Sequence, residues 1–65
     1  MNFKLKQKII QRFRTQSDFA PMIGKGETFV SKIIRGRRVL DPEAKKTWAK
    51  VLGCKVKDIF DDWSD

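Results

Sequence analysis

Hydrogen-bonding and charged side chains recur at helical spacing between residues 27 and 35. The set combines one carboxylate, two hydroxyl groups and two cations, carried by Glu27, Thr28, Ser31, Lys32 and Arg35. Side chains of these types donate and accept hydrogen bonds and pair with charges, and the chain supplies no histidine, second cysteine or paired buried acids to complete a catalytic set. We therefore interpret these residues as a binding set rather than a catalytic set.

The rest of the chain offers little for covalent or metal chemistry. There is no histidine, and Cys54 is the only cysteine, so neither a disulfide nor a zinc site can be assembled. Because no base stands near Cys54 to activate its thiol, we interpret this residue as a small buried side chain. We expect no enzymatic activity, no cofactor and no metal.

The binding set requires a helix, and the residues around it predict one over residues 27–35. Val30, Ile33 and Ile34 repeat at positions i, i+3 and i+4, which buries one face and leaves the polar residues on the other. Gly36 is a suitable stop, and Gly26 is an acceptable N-cap. The segment GKGET does not fit the phosphate loop of nucleotide-binding enzymes, since it lacks the GxxxxGK[ST] spacing and follows no strand.

A second short helix is predicted immediately before this one. Thr15 followed three positions later by Asp18 forms an N-cap, and Gly24 favours the end of the helix before a turn. Pro21 conflicts with a continuous helix, because it removes a backbone donor and clashes with the preceding turn. Either the helix is kinked at Pro21, or its first turn is displaced so that the proline lies nearer the start.

A first helix is predicted ahead of this pair, after Met1 and Asn2, which we expect to be frayed. Its apolar stripe is formed by Leu5, Ile9, Ile10 and Phe13. The lysines around this stripe also suit an acidic membrane surface, but the helix is short and continues into a capped helix. We favour packing against the second and fourth helices.

A fourth helix is predicted from Pro42, with Asp41 as its cap and Gly53 as its end. Its buried face is formed by Ala44, Trp48, Ala49, Val51 and Leu52. Lys45 lies beside this face and is expected to bury its stem while its ammonium group reaches water. A final short helix is expected through Ile59 and Phe60, with Trp63 as either a lid on the core or part of a dimer contact.

Charge is distributed unevenly along the chain. The net charge is +7, but residues 1–40 carry ten Lys or Arg and two acids, whereas residues 41–65 carry five Lys or Arg and six acids. The half that contains the binding set is therefore the basic half, which is typical of proteins with a polyanionic partner. The simpler interpretation is that the lysines only keep a small domain soluble.

In its motifs the chain resembles the Cro and phage-repressor type of helix-turn-helix domain, over residues 16–60. The matching positions are Thr15, Gln16, Phe19, Ala20, Gly24, Val30, Ile33, Arg35, Gly36, Ala49, Leu52 and Gly53. The opening MNF, the lysine-rich first helix and the TQ junction resemble small regulators encoded by phages and prophages. Phe29 departs from the family pattern, which usually has a small polar residue there.

The resemblance implies contacts with double-stranded DNA. Base edges would be contacted by Glu27, Thr28, Ser31 and Lys32. Phe29 would either press on a thymine methyl group or pack back against the second helix. Phosphates would be contacted by Gln16, Lys25, Arg35, Arg37 and Arg38, although residues 35–38 are also compatible with a solvated loop.

From these observations we expect an all-α, compact, five-helix domain of the lambda-repressor-like type, spanning residues 1–65 with its helix-turn-helix at about 16–35. We expect a transcriptional regulator, such as a repressor, that binds operator DNA as a homodimer in the bacterial cytoplasm, associated with the nucleoid. No membrane segment and no small-molecule ligand are expected. Two alternatives stay open: a protein-interaction module such as an antitoxin, and a nonspecific nucleic-acid binder.

Overall fold

The computed structural model describes residues 1–61, which form four α-helices and two short 3₁₀ segments. The helices are α1 (Phe3–Phe13), α2 (Gln16–Phe19), α3 (Glu27–Ile34) and α4 (Pro42–Leu52), and the 3₁₀ segments are Ala20–Ile23 and Val56–Asp58. No strand occurs in this part of the chain. The all-α prediction is thus confirmed for the described residues. Within this range no helix combines the length and the hydropathy that a membrane-spanning segment requires.

The expectation that Asn2 is frayed is wrong. Its side-chain oxygen accepts a hydrogen bond from the backbone N–H of Leu5 at 3.0 Å, so Asn2 is the N-cap of α1. Its backbone N–H donates to the carbonyl of Ile34 at 2.6 Å, and its side-chain amide donates to the carbonyl of Ile59 at 2.5 Å. Asn2 therefore joins the start of the chain to the end of α3 and to the C-terminal segment.

Pro21 divides the predicted second helix into two. The Thr15 hydroxyl caps α2 by accepting from the Asp18 N–H at 3.2 Å, as predicted, but α2 ends after four residues. The chain continues as a 3₁₀ segment with Pro21 in its first turn. At that position the backbone N–H has no hydrogen-bond partner within the helix, so its absence in proline costs nothing. The structure matches neither alternative as stated, because α2 keeps its predicted start and Pro21 lies at the start of a separate 3₁₀ segment.

The fifth predicted helix is a single 3₁₀ turn, which corrects the five-helix description. The Asp58 carboxylate accepts from the Lys55 N–H at 3.0 Å and closes the turn. Ile59 then leaves the helical region, with φ −123° and ψ −15°, and it is buried together with its neighbour Phe60. Trp63 lies outside the described residues.

Trp48 of α4 lies at the centre of the core. Its ring packs nearly perpendicular to the Phe19 ring at a centroid distance of 5.3 Å, and it lies 6.5 Å from the centroid of Phe60. The other fully buried large side chains come from α1, α3, α4 and the C-terminal segment, and they are Leu5, Ile9, Val30, Leu52 and Ile59. Helix α1 contacts α2, α3 and α4, which confirms its predicted packing.

Two side chains differ from their expected environments. The apolar stripe predicted for α1 includes Ile10, but 48% of its surface is exposed because α1 turns only the Leu5 and Ile9 side of the helix fully into the core. Lys45 is buried, with 9% exposed, and its ammonium nitrogen lies 5.3 Å from the centroid of the Phe60 ring. The expected reach of Lys45 into water is therefore largely replaced by an aromatic contact.

Candidate functional site

Helix α3 is held by its apolar side and exposes its polar side. Val30, Ile33 and Ile34 are buried in the core, as predicted. The residues on the other side are exposed, apart from the half-buried Ser31, and they are Glu27, Thr28, Lys32 and Arg35. The side chains of the binding set therefore face outward from a helix whose orientation is fixed by packing.

The start of α3 is formed by the turn at residues 24–26. Gly24 has φ +68°, a left-handed conformation that glycine adopts readily, and its N–H donates back to the carbonyls of Ala20 and Pro21 at the start of the 3₁₀ segment. Gly26 is the N-cap of α3, and no side chain caps this helix. The turn sets α3 at its angle to α2 and brings Gln16, the first residue of α2, beside α3.

A shallow groove joins the start of α2 to the polar side of α3 and the loop after it. Its lining consists of Gln16, Glu27, Thr28, Ser31, Lys32, Arg35 and Arg37. All seven residues belong to the set that the sequence predicted as a binding site. The structure thus brings together four predicted base contacts and three predicted phosphate contacts along one continuous surface.

The loop after α3 is closed by backbone hydrogen bonds. The N–H of Gly36 donates to the Ile33 carbonyl at 3.1 Å, and the N–H of Arg37 donates to the Lys32 carbonyl at 2.9 Å. These bonds fold residues 35–37 back onto the helix end, which explains why Arg37 lies in the same groove as Arg35. The bond from Asn2 to Ile34 fixes this end from the other side.

Phe29, Lys25 and Arg38 form a second group beside the groove. The half-buried ring of Phe29 meets Trp48 at a centroid distance of 6.3 Å. The Lys25 ammonium nitrogen lies 5.3 Å from the centre of the Phe29 ring, and the Arg38 guanidinium carbon lies 5.1 Å from it. Phe29 is therefore turned partly inward, against α4, while both predicted phosphate contacts rest on its ring.

Sequence reasoning missed this cluster, and also missed the role of Asn2. The spacing of Lys25 and Phe29 gave no signal for the cluster, because Lys25 lies in the turn before the N-cap Gly26 and the helical neighbour rule does not apply to it. Nor does any local signal connect Arg38 to Phe29, or Asn2 to Ile34, since those contacts depend on how the loops return to the core.

The surface around α3 is strongly positive. Five cations lie on or beside it with one carboxylate, that of Glu27, and the cations are Lys25, Lys32, Arg35, Arg37 and Arg38. The ion pair found in residues 1–61 lies elsewhere, between Lys4 and Asp61 at 2.7 Å. The charges beside α3 are thus available to an external anion.

Cys54 lies apart from this surface and packs against the core. Burial raises the pKa of its thiol, the Lys8 and Arg12 cations oppose that shift, and the Asp58 carboxylate reinforces it. A thiol with a raised pKa stays protonated at neutral pH and is a poor nucleophile. The structural interpretation of Cys54 is consistent with this environment.

Comparison with known proteins gives one result. A family model described as helix-turn-helix matches residues 5–59, which covers α2, α3, α4, the turn between α2 and α3, and all but the first two residues of α1. Neither the search of curated proteins nor the search of solved structures returns a significant match.

Proposed function

We propose, from the premise that this chain belongs to the helix-turn-helix family, that it is a sequence-specific regulator of transcription that places α3 in the major groove of operator DNA. The family consists of DNA-binding regulatory domains, so DNA is the polyanion that the basic surface binds. The observation that carries the proposal is the continuous groove in which outward polar residues of α3 meet Gln16 and Arg37. Such a surface combines donors for base edges with cations for the flanking backbone.

The base contacts are assigned to the first two turns of α3. Lys32 donates to O6 or N7 of a guanine, Glu27 accepts from N4 of a cytosine, and Thr28 offers its hydroxyl to a base and its methyl group to thymine. Ser31 lies between them in the groove, where its hydroxyl can bond to either type of base edge. The exposed positions of Glu27, Thr28 and Lys32 support this assignment. Contact between the outer part of the Phe29 ring and a thymine methyl group stays a prediction.

The phosphate contacts surround the base contacts on both sides. Gln16, at the start of α2, and Lys25, in the turn, lie before α3 in the chain. Arg35, Arg37 and Arg38 follow it. Contacts with the backbone on either side of the groove would fix the position of α3, while the residues between them select the sequence.

A homodimer on a two-fold-related operator completes the proposal, and the resemblance to Cro and phage repressors supports it. A partly apolar groove beside the end of α3 is also consistent with a second copy, because its lining combines Ile33, Val39, Leu40 and Phe60 with the charged Arg38, Lys45 and Asp61. Val39 is 81% exposed in this groove. We further propose a phage or prophage origin, a repressor role and a location at the bacterial nucleoid in the cytoplasm.

Selection of bound sequences from a random duplex pool tests the proposal most directly. We expect a short consensus with two-fold symmetry, because each copy of α3 would contact one half-site. Enrichment of no sequence, with binding that salt abolishes, would instead identify a nonspecific nucleic-acid binder. Absence of binding at low salt would exclude DNA as the partner.

Titrations of variants on matched and mismatched duplexes then test the residue roles. We expect Lys32→Ala to cost about 1–3 kcal/mol and to relax the preference at one base pair, and Arg37→Ala to weaken all sequences alike and to lower the salt dependence. Lys50→Ala, an exposed lysine of α4 outside the groove, is the matched control and should change little. Equal losses on every duplex for Lys32→Ala and Arg37→Ala would contradict the role given to Lys32.

A further inference from the structure

Two cations from opposite ends of α3 lie over the same aromatic ring. Lys25 belongs to the turn before the helix and Arg38 to the loop after it, yet their charged groups lie 5.3 Å and 5.1 Å from the centroid of Phe29. Both distances fall within the roughly 6 Å range of an attractive cation–π contact. Phe29 is thus the point at which the two segments flanking α3 meet.

The position of this ring is fixed by the core. Phe29 lies in the first turn of α3, where its N–H donates to the Gly26 carbonyl at 3.1 Å. The ring also meets Trp48 nearly edge to face, with 65° between the planes, and Trp48 is itself buried. A ring held on one side by a buried tryptophan is a rigid support for the flexible side chains on its outer side.

The contact leaves both cations able to bind an anion. An aromatic face attracts a positive charge but does not accept strong hydrogen bonds from its N–H groups, as a carboxylate would. The N–H donors of Lys25 and Arg38 therefore remain free to form hydrogen bonds with an anion. Within residues 1–61 neither cation has a carboxylate partner, because the ion pair found there is between Lys4 and Asp61. Because the ring already restricts these two side chains without neutralising them, they lose less rotamer freedom on binding a ligand than unrestrained side chains would.

We propose that Phe29 is a positioning residue, whose ring holds Lys25 and Arg38 at the two ends of α3 ready to contact DNA phosphates. This inference rests on the proposed function, since it takes the DNA backbone as the anion. It gives Phe29 a role distinct from contact with a thymine methyl group. It also explains how two long side chains in separate loops act as a pair around a single helix.

The arrangement of the cluster can be tested without DNA. In the NMR spectrum of the free protein, we expect the Lys25 methylene protons next to the ammonium group and the Arg38 methylene protons next to the guanidinium to shift upfield, because they lie over the ring face. Phe29→Leu should move both sets of resonances to ordinary positions while retaining an apolar contact with Trp48. Phe3→Leu, at an exposed phenylalanine of α1, is the matched control and should leave them unchanged.

The role in binding is tested by a double-mutant cycle on two duplexes, one with and one without A·T base pairs. We expect Phe29→Leu to weaken binding about two- to tenfold, the range that a contact of this strength allows, with little change in salt dependence because the charges remain. Lys25→Gln should lower affinity in the original protein but much less in the Phe29→Leu background. Arg38→Gln should behave in the same way.

Each result then supports or overturns the inference. Additive losses from Phe29→Leu and Lys25→Gln, or a loss that occurs only on thymine-containing sites, would overturn the positioning role while leaving DNA binding intact. Ordinary Lys25 and Arg38 resonances in the free, folded protein would also overturn it. If the original protein shows no salt-dependent binding to any duplex, both the proposed function and this inference fail. Thermal unfolding of every variant confirms that the compared proteins are folded.

Discussion

Helices α3 and α4 pack their apolar sides against the same core but begin in different ways. Helix α4 is capped by Asp41, whose carboxylate accepts from the Ala44 N–H at 2.7 Å, with Pro42 in the first position. Helix α3 begins at Gly26, which offers no side-chain acceptor. The start of α4 is therefore satisfied within the chain, whereas the start of α3 is left to solvent or to a ligand.

The outer sides of the two helices differ in the same sense. On α4 the hydroxyl of Thr47 donates to the carbonyl of Glu43 at 3.1 Å, so this polar group is occupied by its own helix. On α3 the hydroxyls of Thr28 and Ser31 form no hydrogen bond within residues 1–61, and both line the groove. The two helices are thus buried in a similar way on their inner sides, but α4 is a structural helix and α3 is a candidate recognition helix.

Removing the central side chain of the core that the two helices share should have the largest effect on folding stability. Trp48→Ala deletes the ring that contacts Phe19, Phe29 and Phe60, and large-to-small changes of this kind cost about 3–5 kcal/mol. A domain of this size has little stability to lose. We expect the cooperative transition in thermal unfolding by circular dichroism to disappear or to move far down in temperature. A transition that stays within a few degrees of the original would show that Trp48 does not join the helices.

Removing the cap of α4 should have a moderate effect. Asp41→Ala leaves the Ala44 N–H without its acceptor, and losses of this kind cost about 1 kcal/mol of folding stability. Urea unfolding measures the change, and Asp41→Asn, which keeps an acceptor oxygen, should retain most of the stability. DNA affinity at a temperature where the protein is folded should be unaffected, because Asp41 lies outside the groove.

Adding an N-cap side chain to α3 should increase folding stability slightly. Gly26→Ser supplies the missing acceptor, and its Cβ meets no atom within 4 Å. Because Gly26 has the extended backbone typical of an N-cap, with φ −83° and ψ 161°, we expect a gain of about a few tenths of a kcal/mol. The same urea experiment detects it. A loss of stability as large as that of Asp41→Ala would mean that capping does not account for the difference between the two helices.

The smallest effect concerns the end of α4, where Cys54 follows Gly53. Burial raises the pKa of this thiol, since the thiolate is the charged form. Its contribution to folding is therefore complete below the pKa of the unfolded thiol and is lost as the pH rises through the higher pKa of the folded one. The pH profile of alkylation by iodoacetamide should have its midpoint at higher pH in the folded protein than in urea. Coincident midpoints would show that the thiol is not buried.

Much of the helical framework follows from short stretches of sequence. Asp41-Pro42 fixes the start of α4, Gly53 its end, and Thr15 the start of α2, because each of these signals acts on backbone groups within four residues. The inner side of α3 follows from apolar periodicity in the same way. The residues of the groove were predicted from their exposure on that helix and from the family resemblance.

Other features were decided by contacts between distant parts of the chain. The 3₁₀ turn at Val56–Asp58, the burial of Lys45 over Phe60 and the bond from the Asn2 side chain to the Ile59 carbonyl depend on where the C-terminal segment returns to the core. The cluster on Phe29 likewise depends on the loop that carries Arg38.

The sequence by itself determined the helices α1, α3 and α4, the polar side of α3 and the basic character of the half that contains it. The tertiary structure alone decided which cations gather on Phe29 and how Asn2 connects both ends of the chain. The physical reason is range. Capping and periodicity act between residues a few positions apart, whereas these contacts form only after the loops have closed and Trp48 has fixed the surfaces they meet.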